Sequence, residues 1–357
     1  MSRFIQLHFL TSYAPSNLNR DDLGRPKSAL FGGTLRLRVS SQSLKRAWRT
    51  SELFERELKG YIGTRTKDFG NIVYRAVSET MEPAKAHEVA RKVAAAFGKV
   101  ADKQDGALSE DRRRRTEQLA HVTPEEKAAL ESLAFTLAKE KREPKEEELA
   151  ALISAANGAA DIALFGRMLA AKPQFNMEAA AMVAHAISVH KVAIEDDYFT
   201  AVDDLNTGAE DSGAGHVGTM EFASALLYHY VCIDREKLKD NLGGDSELAN
   251  RTLGALLKAC LTVAPAGKQA SFASVARASY ALVERGDSQP RSLAVAFLEA
   301  VRPTVKEQNL LDTSIKRLLL TRDNFEKVYE EKTESQQLNV SEGAGSISEL
   351  VRFVSGA

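Results

Sequence analysis

Residues Thr34–Leu58 change hydrophobic period across one serine-rich joint, and a chain built this way must fold a strand directly into a helix. In TLRLRVS (Thr34–Ser40), Leu35, Leu37 and Val39 alternate with Arg36 and Arg38, the period of two of a strand with unlike faces. SSQSLKRAWRTSELFEREL then takes up the helical period of about 3.6. Ser40 or Ser41 serves as N-cap, and Leu44, Ala47, Trp48 and Phe54 form the packed stripe. FIQLHFL (Phe4–Leu10) reads as a buried strand and Val217–Asp234 as a long one. Between Leu10 and Thr34, Pro15, Gly24, Pro26, Gly32 and Gly33 predict a long loop.

From about Gly60 to Gly158 the chain becomes rich in Ala, Glu, Lys and Arg, as in a helical insertion between parts of another domain. Ala160–Met168 and Ala179–Ile194 return to apolar, strand-capable sequence, and Glu195–Gly215 is acidic and arm-like. Further helices are expected over Glu247–Val263, Phe272–Val283 and Ser292–Val301. The absence of a repeat of about 20–50 residues argues against a solenoid. Strands interrupted by helical insertions indicate α+β, with a ferredoxin-like sheet carrying the helical region as the preferred architecture.

The formal charge of −1 conceals an asymmetry, because the first 50 residues hold nine Lys/Arg against Asp21 and Asp22. They carry +7 and the remainder −8, which suggests a localised polyanion site. No run approaches the roughly 18 apolar residues of a membrane span. The N-terminus MSRFIQLHFL is too short and charged for a secretory signal. Cys232 and Cys260 form no CxxC pair, so they are expected to be small buried hydrophobes in a cytoplasmic protein without membrane partners.

RLRVSSQSLKRAWR combines three phosphate-binding devices. Arg36 and Arg38 share a strand face, a helix N-terminus follows, and Lys45, Arg46 and Arg49 fall on its neighbouring turns. Ser40, Ser41, Gln42 and Ser43 add neutral hydrogen bonds. The alternative is an ordinary capped helix with solvated basic residues. Arg112–Arg115 and the set Lys139, Lys141, Arg142 and Lys145 are interleaved with Glu, as on a salt-bridged solvated face, although the second set could touch nucleic acid. No Walker A, GxGxxG or GxSxG motif occurs. His8, His87, His121, His185, His190, His216 and His229 lack metal-ligand pairing. The pairs Asp21/Asp22, Asp196/Asp197 and Asp203/Asp204 could hold magnesium, but adjacent carboxylates in Gly-containing loops are more often solvated turns. A non-catalytic chain without metal or cofactor is expected.

Seven segments carry a family resemblance: SNLNRDD (Ser16–Asp22), ALFGGTLRLRVSSQSLKRAWR (Ala29–Arg49), DIALFGRM (Asp161–Met168), MVAHAISVH (Met182–His190), YFTAVDDL (Tyr198–Leu205), HVGTMEFAS (His216–Ser224) and PAGKQ (Pro265–Gln269). Together, in this order, they resemble the backbone subunit of type I-E CRISPR Cascade, the CasC family. The match is weaker in the helical insertion and the C-terminal part.

The resemblance implies a modified RNA-recognition-motif palm, helical fingers and a protruding thumb. Residues 1–59, 160–193 and 218–357 would form the palm and C-terminal region, 60–159 the fingers and 194–217 the thumb. Copies would stack along a CRISPR guide RNA, with other Cascade subunits and the guide-paired target DNA strand as further partners in antiviral defence. By motif, Asn19, Arg20, Lys27, Ser40, Gln42, Lys45 and Arg49 would contact the guide backbone, beside Arg36, Arg38 and Arg46 from the charge pattern. Met168 would wedge beside a displaced base, Gly267, Lys268 and Gln269 would add an RNA contact, and Lys139, Lys141 and Lys145 would touch target DNA. Arg49 stands where the family often has lysine, which allows forked phosphate contacts. The thumb of the next copy would displace guide bases at regular intervals and, without Lys or Arg between Lys191 and Arg235, would dock on a neighbour's basic palm. Two other readings are a stand-alone RNA-binding module of the same fold and a metal-dependent nuclease using the aspartate pairs.

Overall fold

The computed structural model describes residues 2–101, 109–153, 158–169, 172–201, 204, 216–302 and 309–356. In chain order the strands are β1 (Phe4–Ser16), β2 (Ser28–Phe31), β3 (Thr34–Val39), β4 (Thr64–Thr66), β5 (Ala120–Val122) and β6 (Ala181–Val183). They continue with β7 (Ala186–Ser188), β8 (Glu195–Ala201), β9 (His216–Asp234), β10 (Ala278–Gly286) and β11 (Glu334–Asn339). The fold is α+β, dominated by a nine-stranded sheet in the order β11-β10-β1-β9-β7-β3-β2, with β6 and β8 also paired to β9. The chain divides into two compact units, Met1–Phe54 with Met182–Ile233 and Leu253–Ala357, and Glu55–Ala181 with Asp234–Thr252.

In the first unit β1 is buried without a break from Phe4 to Thr11, as a central strand covered on both faces must be. Leu10, Leu226, Tyr228, Tyr280, Leu282, Phe297 and Leu318 meet in its apolar core. A polar network threads the same core: His8 bonds to Tyr228 through Nδ1 at 2.9 Å and to Glu284 through Nε2 at 3.0 Å. Arg291 reaches Glu284 from the other side at 3.0 Å. Burial pushes the Glu284 carboxyl up, but His8 and Arg291 outweigh it and hold it at about 2. The second unit packs the helices Phe69–Val77, Pro83–Ala95 and Pro124–Glu140 around a core that includes Phe69, Val73, Val93, Phe97, Leu130 and Leu137. The ladder β4–β5 lies in the same unit.

Several sequence expectations change here. The loop expected after Leu10 shrinks to 17–27, because β1 runs on to Ser16 and β2 pairs with β3 through Gly32-Gly33. Both glycines have positive φ, +58° and +73°, as a two-residue hairpin turn requires. Ala160–Met168 contains a helix, Ala160–Phe165, rather than a strand. Phe272–Val283, expected as a helix, becomes the start of β10 after a four-residue helix at Gln269–Phe272. β10 lies between β1 and β11 with Tyr280–Val283 all buried, so it shows no alternation to betray it. Ser292–Val301 holds only the short 3₁₀ turn Ala294–Phe297. The acidic segment begins as β8, paired antiparallel with β9 from Glu195↔Phe222 to Ala201↔His216. Asp203, Glu210 and Asp211 lie outside the described residues. Among the described residues no helix is long and apolar enough to cross a membrane.

His229 on β9 stacks on Phe9 of β1 at 4.4 Å, and neither of its buried ring nitrogens has a hydrogen-bond partner among the described residues. Burial holds its pKa at about 3, whereas the unfolded chain protonates at about 6.5. The stability this neutral ring allows is complete above pH 6.5 and lost as pH falls toward 3, at up to about 1.4 kcal/mol per pH unit. His229→Phe should therefore raise the urea midpoint more at pH 5 than at pH 7.5, and an equal gain at both would contradict this account.

Candidate nucleic-acid interface

The serine-rich joint folds as its sequence requires. Ser40 is the N-cap of helix α1 (Ser41–Arg49), its Oγ accepting from Ser43 N at 3.3 Å. Leu44 and Trp48 are buried, and the first turn contains no acid to oppose an anion. Helical spacing sets Gln42, Lys45, Arg46 and Arg49 along the outer side. Ser43, Ala47 and Thr50 turn toward the loop that precedes β2.

That loop is tied down at several points. Asn19 Oδ1 accepts from Ser40 N at 2.9 Å, and Lys27 N donates to Asn19 O at 2.8 Å. Asp21 Oδ1 accepts from Leu23 N and Arg25 N, both at 2.9 Å, so this carboxylate is engaged in closing its own turn. Asn17 Nδ2 donates to Gly24 O at 3.0 Å and to Glu221 O at 2.9 Å. Gly267 lies so close to the loop that a Cβ would fall 2.1 Å from Leu18 O. The next residue, Lys268, is left-handed at φ +49° and precedes Gln269. Leu18, Asn19, Arg20, Asp21, Ser43 and Arg46 line a groove of about 400 Å³ that Gly267 closes.

Beside the groove lies a cationic group. Arg38 N donates to Lys27 O at 2.8 Å, which sets the two residues side by side. Arg38 Nη1 donates to His185 Nδ1 at 2.9 Å, so the neutral ring carries its proton on Nε2. Burial, then the charges of Arg38, Lys27 and Lys45, push the His185 pKa down. His185 thus belongs to the cluster, although its sequence spacing suggested only a failed metal ligand. Its place in MVAHAISVH, one of the family-like segments, was the available signal.

Arg36 departs from expectation. It is fully buried, donating from Nε to Thr34 Oγ1 at 2.8 Å, from Nη1 to Ser188 O at 2.9 Å and from Nη2 to Phe297 O at 2.9 Å. Burial pushes its pKa down. This guanidinium is a structural tie and is withdrawn from the phosphate contacts. Asn19 and Ser40 likewise spend their side chains on the scaffold, while Arg20, Gln42 and Arg46 are exposed and Lys27, Lys45 and Arg49 half-buried.

Met168, Lys139, Lys141 and Lys145 belong to the second unit. Met168 is 76% exposed. Lys139, Lys141 and Lys145 are exposed and make no side-chain ion pair among the described residues, whereas Arg142 is held by Glu140 and Glu148. The Arg112–Arg115 run is not simply a solvated face. Arg114 is buried, its Nε 2.7 Å from Asn71 Oδ1 and its guanidinium 3.8 Å over the Tyr74 ring. Among the described residues no group of three or more His, Cys, Asp or Glu side chains could hold a metal ion.

A family model described as CT1975-like protein matches residues 5–352. The chain belongs to the CT1975-like protein family. The CT1975-like chain is also similar to a solved chain described as "CRISPR RNA-guided surveillance complex, pre-nicking". The two share 27% identity over 99% of this chain and 100% of that one, with a TM-score of 0.84. A second solved chain, described as "CRISPR RNA-guided surveillance complex", shares the fold at a TM-score of 0.61 and 22% identity, covering 99% of each chain. A search of curated protein sequences gave no match.

Arg36→Ala should cost about 2–4 kcal/mol in denaturant unfolding, because it leaves buried carbonyls without donors. Arg38→Ala, at a half-buried position on the same strand, should stay within about 1 kcal/mol of wild type.

Proposed function

We propose that this chain is a non-catalytic, guide-RNA-binding subunit of a type I-E, Cascade-type CRISPR complex, stacking in several copies along the guide and presenting it to target DNA. The observation that carries the reading is the end-to-end likeness, at a TM-score of 0.84, to a chain of a CRISPR RNA-guided surveillance complex. The topology supports a ferredoxin-like, RNA-recognition-motif palm. Taking β1, β7, β9 and β10 as its four strands, the last lies beside the first, the first beside the third and the third beside the second.

Lys27, Arg38 and Lys45, with Arg20, Gln42, Arg46 and Arg49 around the α1 N-terminus, hold guide phosphates. Lys268 and Gln269 extend that surface along the Gly267 contact. Asn19 and Ser40 act by fixing the loop to the helix start. Such contacts read backbone and shape and leave sequence to base pairing, as a subunit that coats any guide must. Met168 wedges beside guide bases, and Lys139, Lys141 and Lys145 face the target strand. The acidic arm that begins with β8 docks on a neighbouring copy.

Co-expression with a CRISPR array and the companion subunits, followed by sequencing of bound RNA, tests the reading. Repeat-flanked guide RNA is the expected result, and RNA-free protein would overturn it. In the purified complex, Lys27→Ala and Lys45→Ala should each flatten the dependence of log affinity on log salt by about 0.7, one single-strand phosphate contact apiece.

A further inference from the structure

The segment that presents Met168 is built as a rigid post. The helix Ala160–Phe165 ends at Gly166, φ +81°, where a Cβ would sit 2.9 Å from Met177 O and 3.1 Å from Ala179 N. Arg167 and Met177 exchange both backbone hydrogen bonds at 2.9 Å, and Leu169 N donates to Asn176 Oδ1 at 2.6 Å. The residues on either side of Met168 are therefore pinned while its side chain projects outward.

Arg167 points the other way, and its side chain is wholly buried. Its Nη1 donates to Glu126 Oε1 at 3.0 Å and to Glu126 Oε2 at 2.8 Å. Nε and Nη2 donate to Phe175 O at 3.2 and 3.0 Å. Glu126 is also the third residue of the helix Pro124–Glu140. It accepts from Thr123 N at 2.9 Å while Thr123 Oγ1 accepts from Glu126 N at 3.1 Å. A glutamine would serve that capping box equally well. The charge on Glu126 answers Arg167 instead. A buried ion pair is a poor source of net stability, and its best-attested use is to fix one arrangement among several. Methionine is also the most adaptable apolar side chain, so a Met wedge must take its aim from its backbone.

We infer that Glu126 and Arg167 are a positioning pair that sets the register of Met168 against guide bases. The inference rests on the guide-coating function proposed above. Without the pair the palm still holds the RNA, but the bases are no longer displaced at fixed intervals.

The test is chemical probing of guide bases in the purified, co-expressed complex. Wild type should show reactive bases at regular intervals, and Met168→Ala should flatten that pattern. Glu126→Gln, which keeps the capping box, and Arg167→Lys, which keeps the charge, should each reduce the contrast about threefold or more with guide recovery within about twofold of wild type. Adding Glu126→Gln to Met168→Ala should cause no further loss, since both act through one side chain. Leu133→Ala, a cavity in the same helix, serves as the stability control and should lower Tm without altering the pattern. An unchanged pattern in folded Glu126→Gln, or its equal loss in Leu133→Ala, would overturn the inference. An irregular wild-type pattern would instead overturn the stacked guide reading, and this inference with it.

Discussion

The guanidinium of Arg36 joins β3, the last residue of β7 and the turn at Phe297, three segments far apart in the chain. Its bonds hold β3 in place in the sheet, and Leu37 N adds a bond to Ser188 Oγ at 3.0 Å. With β3 fixed, Arg38 pairs opposite Ile187 at the strand end, within reach of His185, and Ser40 arrives where Asn19 can hold its N–H. An arginine buried against carbonyls costs desolvation that only a full set of acceptors offsets. Here the acceptors other than Thr34 Oγ1 are main-chain oxygens, which substitution of side chains cannot remove.

The same residue shows how far the sequence could be read. Alternation in TLRLRVS placed Arg36 and Arg38 on one face correctly, but periodicity says nothing about what covers a face. The segment around Phe297 covers Arg36 and leaves Arg38 half-open, and that contact spans more than 250 residues. The helix after the joint was legible because its cap, stripe and outer cations are all local. β10 and the helix at Ala160 were misread for a shared reason: their buried stretches carry apolar runs without a period. The site was legible as a basic cluster. His185 joins it only through the pairing of β3 with β7, which brings Arg38 opposite the MVAHAISVH segment.

In the second unit the division of labour is reversed. There the buried polar groups do the arranging. Glu126 serves helix Pro124–Glu140 at its start, and Lys139 lies in the last turn of the same helix, about 20 Å away at the usual rise per residue. Met168 and Lys139 are thereby both referred to one ion pair. In the role proposed above, a wedge and a charge that share an anchor would keep a constant spacing from one copy to the next.

Charge in the first unit follows a similar economy. Lys27, Arg38 and Lys45 lie close enough to act together on His185, while the nearby Asp21 carboxylate is engaged in its own turn. Glu221 pairs with Arg25 at 3.0 Å rather than with these three. Like charges gathered without local acids weaken the free fold, and proteins tolerate such conflicts where function requires them. A polyanion laid across the cluster relieves the repulsion and adds its binding free energy to folding. The neutral His185 ring fits that arrangement: it accepts from Arg38 without adding a fourth cation, and its Nε2–H remains available as a donor. The fold therefore holds, as repulsion in the unbound state, free energy that a polyanion bound across the cluster would release.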